Sequence, residues 1–262
     1  MRTKKYFSIL STSLQSNLVY AKEVLIRSLF IVVMLYIFIE LWGTVYGDSN
    51  SINGMTLKQV IWYLLISETI MLSKISIAKT LSLEVKEGTW AYSLTKPYNY
   101  LLYHLFNGLG NNILLVIINF FVGFVIVYLL VGTPPKGLYV LIPVALSTLL
   151  AFLIDFAIGC ILGMLSFYTE DVSGYVLVYQ KLLLVFGGLL IPLEFFPDWL
   201  KNIADMLPFR AILYMPANLF VNYSFDIFFS YITQQLGWLV VFVIILYCLE
   251  KSVLKKTVVN GG

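Results

Sequence analysis

The sequence predicts an all-α integral membrane protein. It has six transmembrane helices, an N-terminal amphipathic helix at the membrane interface, and short outer re-entrant helices after the fifth span. Three observations predict this. Hydrophobic residues make up 60% of the 262 and charged residues only 12%, against roughly 25% charged in a soluble domain. Apolar area left in water costs about 25 cal/mol per Å², so a surface of this kind belongs in hydrocarbon. Six segments come near the roughly 20 apolar residues that cross a bilayer, and the 18 Tyr and five Trp suit rings that settle at the lipid–water boundary.

The chain opens on Met1-Arg2-Thr3-Lys4-Lys5, like a signal peptide, but Ser11 to Asn17 is too polar for the apolar core of one. The N-terminus is therefore expected to stay. Phe7, Leu10, Leu14, Leu18 and Ala21 recur with helical spacing, which predicts that residues 1–23 form a helix lying in the membrane surface. Spans are expected over Val24–Tyr46, Leu57–Ala78, Leu101–Leu130, Leu138–Phe167, Tyr175–Ile191 and Tyr231–Leu249. The longer connections, residues 79–100 and 192–230, each fall short of the roughly 40 residues that fold independently, so residues 1–262 read as a single domain.

Orientation follows from the basic residues. With the N-terminus inside, only Lys58, Lys136, Lys201 and Arg210 of the 17 Lys and Arg lie outside. This bias predicts both termini in the cytoplasm and a place in the cytoplasmic membrane.

The sequence contains no G-x-x-x-x-G-K-[ST] loop, no H-E-x-x-H, no G-x-S-x-G and no cysteine cluster. No catalytic residue, metal site or cofactor is expected in this chain. Cys160 and Cys248 read as small apolar residues, and His104 as a membrane-interface histidine. A net charge of +3 does not suggest nucleic acid. Energy for any work must come from a partner chain or an ion gradient.

Three constellations carry information. In the fourth span Ser147, Ala151, Asp155, Gly159 and Gly163 recur every four residues. Gly159 and Gly163 have the spacing that lets helices approach closely. Asp155 sits mid-span, where an ionised carboxylate costs on the order of 3 kcal/mol or more. It is either a substrate-path or interface residue, or a carboxylate satisfied inside the bundle. Asn112, Asn119 and Gly123 form a related stripe in the third span, and Glu68 and Glu40 complete the intramembrane polar set.

The second constellation is the stretch from Ser82 to Trp90. It reads as a short charged helix ended by Gly88, followed by Leu94-Thr95-Lys96-Pro97, where Pro97 suits the opening of a long helix. A charged element held between two spans can pass a push from a cytoplasmic partner into the membrane. The third lies outside: Gly187-Gly188 interrupts the fifth span, and Pro192, Pro197, Pro208 and Pro216 punctuate the chain beyond it. Leu200, Ile203, Ala204 and Leu207 line one face of a short helix beginning near Asp198. Irregular backbone at membrane depth survives only when buried in protein or lining a cavity.

These residues resemble a known family. Glu87-Gly88 followed by Leu94-Thr95-Lys96-Pro97 is similar to the segment between the second and third spans of ABC-2 type permeases. Gly187 through Leu200, with Leu207-Pro208-Phe209 and Pro216, resembles that family's segment after the fifth span. The resemblance covers essentially the whole chain. It implies the permease subunit of an ABC exporter, moving a substrate outward and built from two permease chains, the same or different, with two cytoplasmic ATPase chains that carry ATP and Mg.

Under that resemblance, Glu84, Lys86, Glu87, Gly88, Lys96 and Pro97 would couple to the ATPase, together with the N-terminal helix. Asp155, Gly159, Gly163, Asn112 and Asn119 would serve helix packing or the substrate path, and Gly187, Gly188, Pro192, Glu194 and Pro197 the external gate. The alternative is an ion-coupled secondary transporter built around Asp155 and Glu68. A membrane-embedded enzyme would need convergent nucleophiles or ligands at one depth, which the sequence lacks.

Overall fold

A computed structural model describes residues 2–19, 21–74, 76–169 and 171–260. Of the positions invoked above, Met1 and the side chains of Arg2, Thr3, Ala21, Val24 and Leu94 lie outside the described residues. Among the described residues there are eleven α-helices. They are α1 (Arg2–Val19), α2 (Ala21–Tyr46), α3 (Leu57–Ser73), α4 (Ile77–Lys86), α5 (Thr89–Leu94), α6 (Tyr100–Val131), α7 (Leu141–Met164), α8 (Ser173–Phe186), α9 (Asp198–Asp205), α10 (Tyr214–Asn222) and α11 (Phe225–Asn260).

Local sequence sets several boundaries. The Thr56 side chain accepts from the Gln59 amide while Gln59 returns the bond, a capping box that starts α3. Asn99, two residues beyond Pro97, caps α6 by accepting from the Leu102 N–H at 2.9 Å. Gly88 takes φ +73 between α4 and α5, a left-handed turn that glycine adopts without strain.

Among the described residues five helices are long and apolar enough to cross a membrane: Ser28–Tyr46, the α3–α4 run Leu57–Lys86, Tyr100–Val131, Leu138–Phe167 and Phe225–Val253. The expected fifth span stops at Phe186 rather than Ile191, leaving a 14-residue α8. At 1.5 Å per residue that is about 21 Å, short of the roughly 30 Å hydrocarbon core. The expected second span, Leu57–Ala78, is broken: α3 ends at Ser73, Lys74 is extended (φ −73, ψ 142), and α4 starts at Ile77. The last helix is longer than expected, 36 residues from Phe225.

The core is centred on α3 and α10. Every residue of α3 from Val60 to Ile70 is buried, as is every residue of α10 from Tyr214 to Val221. Trp62 packs on Phe220 at 5.5 Å and Tyr63 on Tyr214 at 6.0 Å between ring centroids. Helices α2, α6, α7 and α11 surround this pair. A second, smaller core of Ile77, Leu81, Trp90, Tyr100, Leu101, Cys160, Met164, Leu246 and Val253 fastens α4 and α5 to the ends of α6, α7 and α11.

Helix α1 lies along α6 and contacts it with a polar face. Tyr6 stacks on Phe106 at 5.3 Å, Ser13 Oγ donates to the Asn107 carbonyl at 2.8 Å, and Asn17 Nδ2 donates to Asn111. Gly110 permits this approach, because a Cβ there would meet Ser13 Cβ at 2.7 Å. Phe7 and Leu18, from the predicted apolar face, remain exposed.

Candidate functional site

The end of α3 is a polar junction in the half of the bundle that carries α4 and α5. Ser73 Oγ donates to the Thr69 carbonyl at 2.6 Å and accepts from Asn119 Nδ2 at 3.1 Å. The Asn112 amide, oriented to donate, reaches the Ser73 carbonyl at 3.0 Å. Thus the predicted asparagine stripe of α6 holds the point where α3 stops, and Gly123 of the same stripe lets Leu65 and Leu35 pack close.

One residue later, Lys74 Nζ sits 2.5 Å from Asp155 Oδ1, and Tyr179 Oη donates to the same oxygen at 2.5 Å. The ammonium also lies 5.2 Å from the centre of the Tyr179 ring. Asp155 is therefore satisfied within the bundle, which joins α7 and α8 to the α3–α4 break. Two cavities flank it. One of about 110 Å³ includes Lys74, Ser76, Gly159, Tyr179 and Gln180, and one of about 70 Å³ includes Thr80, His104, Asn107 and Asn111.

The glycine stripe of α7 packs against α4 of the same chain. A Cβ on Gly159 would strike Ile77 Cγ2, and one on Gly163 would meet Leu81 Cβ at 2.8 Å and the Ala78 carbonyl at 3.2 Å. Further along the stripe, Ser147 Oγ donates to Gln235 Oε1 at 3.0 Å, and Gln235 Nε2 donates to the Ser147 and Ala211 carbonyls. Glu68, in α3, is buried and its Oε1 lacks a hydrogen-bond partner among the described residues. The Glu40 side chain is exposed.

Of the expected coupling residues, Glu84 is turned inward. Its Oε2 accepts from Tyr100 Oη at 2.5 Å and lies 3.4 Å from His104 Nε2. Lys86, Glu87, Gly88, Lys96 and Pro97 are exposed. Lys86 Nζ reaches Asp171 at 3.4 Å. The Ser173 hydroxyl and amide, and then Lys86, hold the Asp171 carboxyl below its ordinary range. Lys5 Nζ donates to the Pro97 carbonyl at 2.7 Å, and Tyr6 Oη accepts from the Asn99 N–H, which ties α1 to the same surface.

On the far side, α8 ends at Gly187, and Gly188 turns the chain with φ +71. Tyr63 Oη donates to the Gly188 carbonyl at 2.8 Å. Pro192 is buried and Pro197 exposed. Glu194 Oε1 accepts from Tyr214 Oη at 2.7 Å, which accepts from Asn218, whose Nδ2 also donates to Tyr231 Oη at 2.7 Å. Arg210 pairs with Asp205 and lies 5.4 Å from the Tyr214 ring centre. This chain of polar groups ties the short helices to α11 inside the bundle, while Glu194 Oε2 and Arg210 Nε have no hydrogen-bond partner among the described residues.

The junction thus unites Asp155, Gly159, Asn112 and Asn119, and adds Lys74, Ser73 and Tyr179, which sequence reasoning misses. In the sequence Lys74 counts only as a cytoplasmic cation. Its place at the edge of an apolar run facing an intramembrane carboxylate is the one available signal.

The fold and its junction define a multi-pass, all-helical membrane protein. The family model described as ABC-2 family transporter protein matches residues 29–261, which is 233 of the 262 residues. The chain belongs to the ABC-2 transporter family: it is an ABC transporter permease, the membrane subunit, which associates in general with ABC ATPases and is not itself catalytic. None of the curated proteins matches it.

Proposed function

We propose that the chain is the permease of an ATP-driven exporter. It sits in the cytoplasmic membrane with both termini inside and pairs with a second permease chain. ATP and Mg are held by separate cytoplasmic ATPase subunits. In this reading α8 with the turn at Gly187-Gly188 is the fifth of six spans, and the helices within residues 192–230 re-enter the outer leaflet as an external gate.

The observation that carries the proposal is how α4 and α5 are fastened. Their outer face presents Lys86, Glu87, Gly88, Lys96 and Pro97, while their inner face is locked to α6 through Glu84–Tyr100 and to α7 through Gly159 and Gly163. A force applied at the exposed face reaches α6 and α7 directly, α11 through the smaller core, and α8 through Asp155, which bonds both Lys74 and Tyr179. Such rigid, packed contacts transmit displacement rather than absorb it.

The alternative, an ion-coupled carrier built on Asp155 and Glu68, gains no support. The charge of Asp155 is already offset by Lys74, and its Oδ1 is held by Lys74 and Tyr179. The test is purification from native membranes in mild detergent. The proposal expects an ABC ATPase to accompany the chain in near-equal amount and to be shed when Glu87 and Lys96 are reversed in charge. A chain that purifies alone and transports after ATP depletion would contradict it.

A further inference from the structure

Helices α3, α6 and α7 enclose an apolar cavity of about 460 Å³ lined by Ile70, Ile113, Val116, Phe120, Val144 and Leu149, among others. This lies in the roughly 300–1,000 Å³ range of ligand pockets. Its floor is buried (Ile66, Ile70, Val144, Phe152), whereas its lips, including Ile117, Phe121 and Leu149, are exposed where lipid would lie. Thr69 lines it, is 3% exposed, and its Oγ1 has no hydrogen-bond partner among the described residues.

The cavity does not end in apolar wall. Leu109 and Phe152 also line the smaller chamber of about 70 Å³, whose other residues include Thr80, His104, Asn107, Asn111, Asn112 and Asp155. The two spaces adjoin at that pair, the polar one nearer the end of the bundle that carries α1, α4 and α5. An apolar slot continuing into a small polar chamber has the form of an amphipath.

The polar lining sets the head chemistry. The bonds from Lys74 and Tyr179 both fall on Asp155 Oδ1, which leaves Oδ2 to accept, and an ionised carboxylate only accepts. The lining asparagines and Thr80 bring donors as well as acceptors, and Asn111 Oδ1 is already taken by Ser13 and Asn17, so the carboxylate sets the charge the head can carry. The one basic side chain named among the lining, His104, is engaged by Glu84, and Lys74 lines the other cavity. An anionic head would meet a carboxylate with no cation set aside for it.

We infer that the α3–α6–α7 slot and its adjoining chamber bind a single-chain amphipath with a small, donor-bearing, non-anionic head, its apolar chain along α6 and its head at Asp155. Binding of this kind needs no ATPase, so it stands apart from the coupling proposed above.

The test is native mass spectrometry of the purified full chain with dodecylamine, dodecanol or dodecanoate. The amine and the alcohol should add once per chain, with dodecanoate at least tenfold weaker. Ala145→Trp, which fills the slot from its lip, should weaken amine binding at least tenfold. Ile117→Trp, at an exposed position, repeats the test should the first variant fold poorly. Equal binding of all three probes, or binding unchanged in both filled variants, would overturn the inference. A single-chain amphipath recovered with the wild-type chain and lost from the filled variants supports it with a bilayer lipid as occupant. Binding seen only on addition of probe supports it with a transported compound as occupant.

Discussion

Lys74 and Asp155, 81 positions apart in the sequence, meet at 2.5 Å with side chains only 11% exposed each. Neither charge is well solvated, so each depends on the other. Removing one partner of a buried pair costs about 3–5 kcal/mol. Asp155→Ala or Lys74→Ala should therefore lower the unfolding temperature of the purified chain substantially, while the double change to Lys74→Met and Asp155→Leu recovers most of the loss. A double-mutant cycle showing no coupling between the two positions would remove the pair from the account.

Gly163 of α7 and Gly237 of α11 should respond oppositely to the same substitution. At Gly163 an alanine Cβ would press on Leu81 Cβ and the Ala78 carbonyl, and overpacking costs about 1–3 kcal/mol. At Gly237, within α11, nothing lies within 4 Å, so alanine should be neutral or stabilising by up to about 1 kcal/mol. Gly159→Leu should go further and push α4 off α7, read as faster proteolysis at the α4–α5 turn. Equal stabilities for G163A and G237A would contradict the packing.

The two glutamates at the end of α4 should separate. Glu84 anchors the helix through Tyr100 and His104, so Glu84→Ala should destabilise the chain by about 1.5–3 kcal/mol, the range for a hydrogen bond to a charged group. Glu87 is exposed, so Glu87→Ala should leave the unfolding temperature nearly unchanged and weaken only ATPase association. A pull-down in which the two variants behave alike would show that the inward and outward faces of α4 do not have separate roles.

At the turn after α8, Gly188 combines φ +71 with a Tyr63 hydroxyl that an added Cβ would meet at 2.6 Å. Gly188→Ala should cost about 1–3 kcal/mol from the backbone strain alone. Tyr63→Phe should cost about 1–3 kcal/mol, because the Gly188 carbonyl loses its partner. Thermal unfolding of both variants checks this, and a neutral G188A would mean that the turn is not held as described.

Much of the fold can be read from periodicity and length, because helices in lipid must satisfy all their polar backbone internally. The apolar run predicts Leu101–Leu130, and Tyr100–Val131 is observed. Gly187-Gly188 announces the early end of α8, and Gly88 the end of α4. The break after Ser73 is not legible. No Gly or Pro marks it, and the apolar run continues through Ile77 and Ala78. It is set by tertiary bonds from Asn112 and Asn119, which local sequence does not contain. The inward turn of Glu84 is hidden for the same reason: its partners, Tyr100 and His104, lie a helix away.

The central claim is that the exposed face of α4–α5 receives the push of a cytoplasmic ATPase. Site-directed cross-linking in native membrane vesicles tests it most directly, using a Cys248→Ser background because Cys248 is exposed and Cys160 is buried. A cysteine at position 87 should cross-link to the ATPase in a manner that changes with bound nucleotide, while one replacing the exposed Trp199 on α9 should not. A cross-link absent from position 87, or formed equally from position 199, would contradict the account.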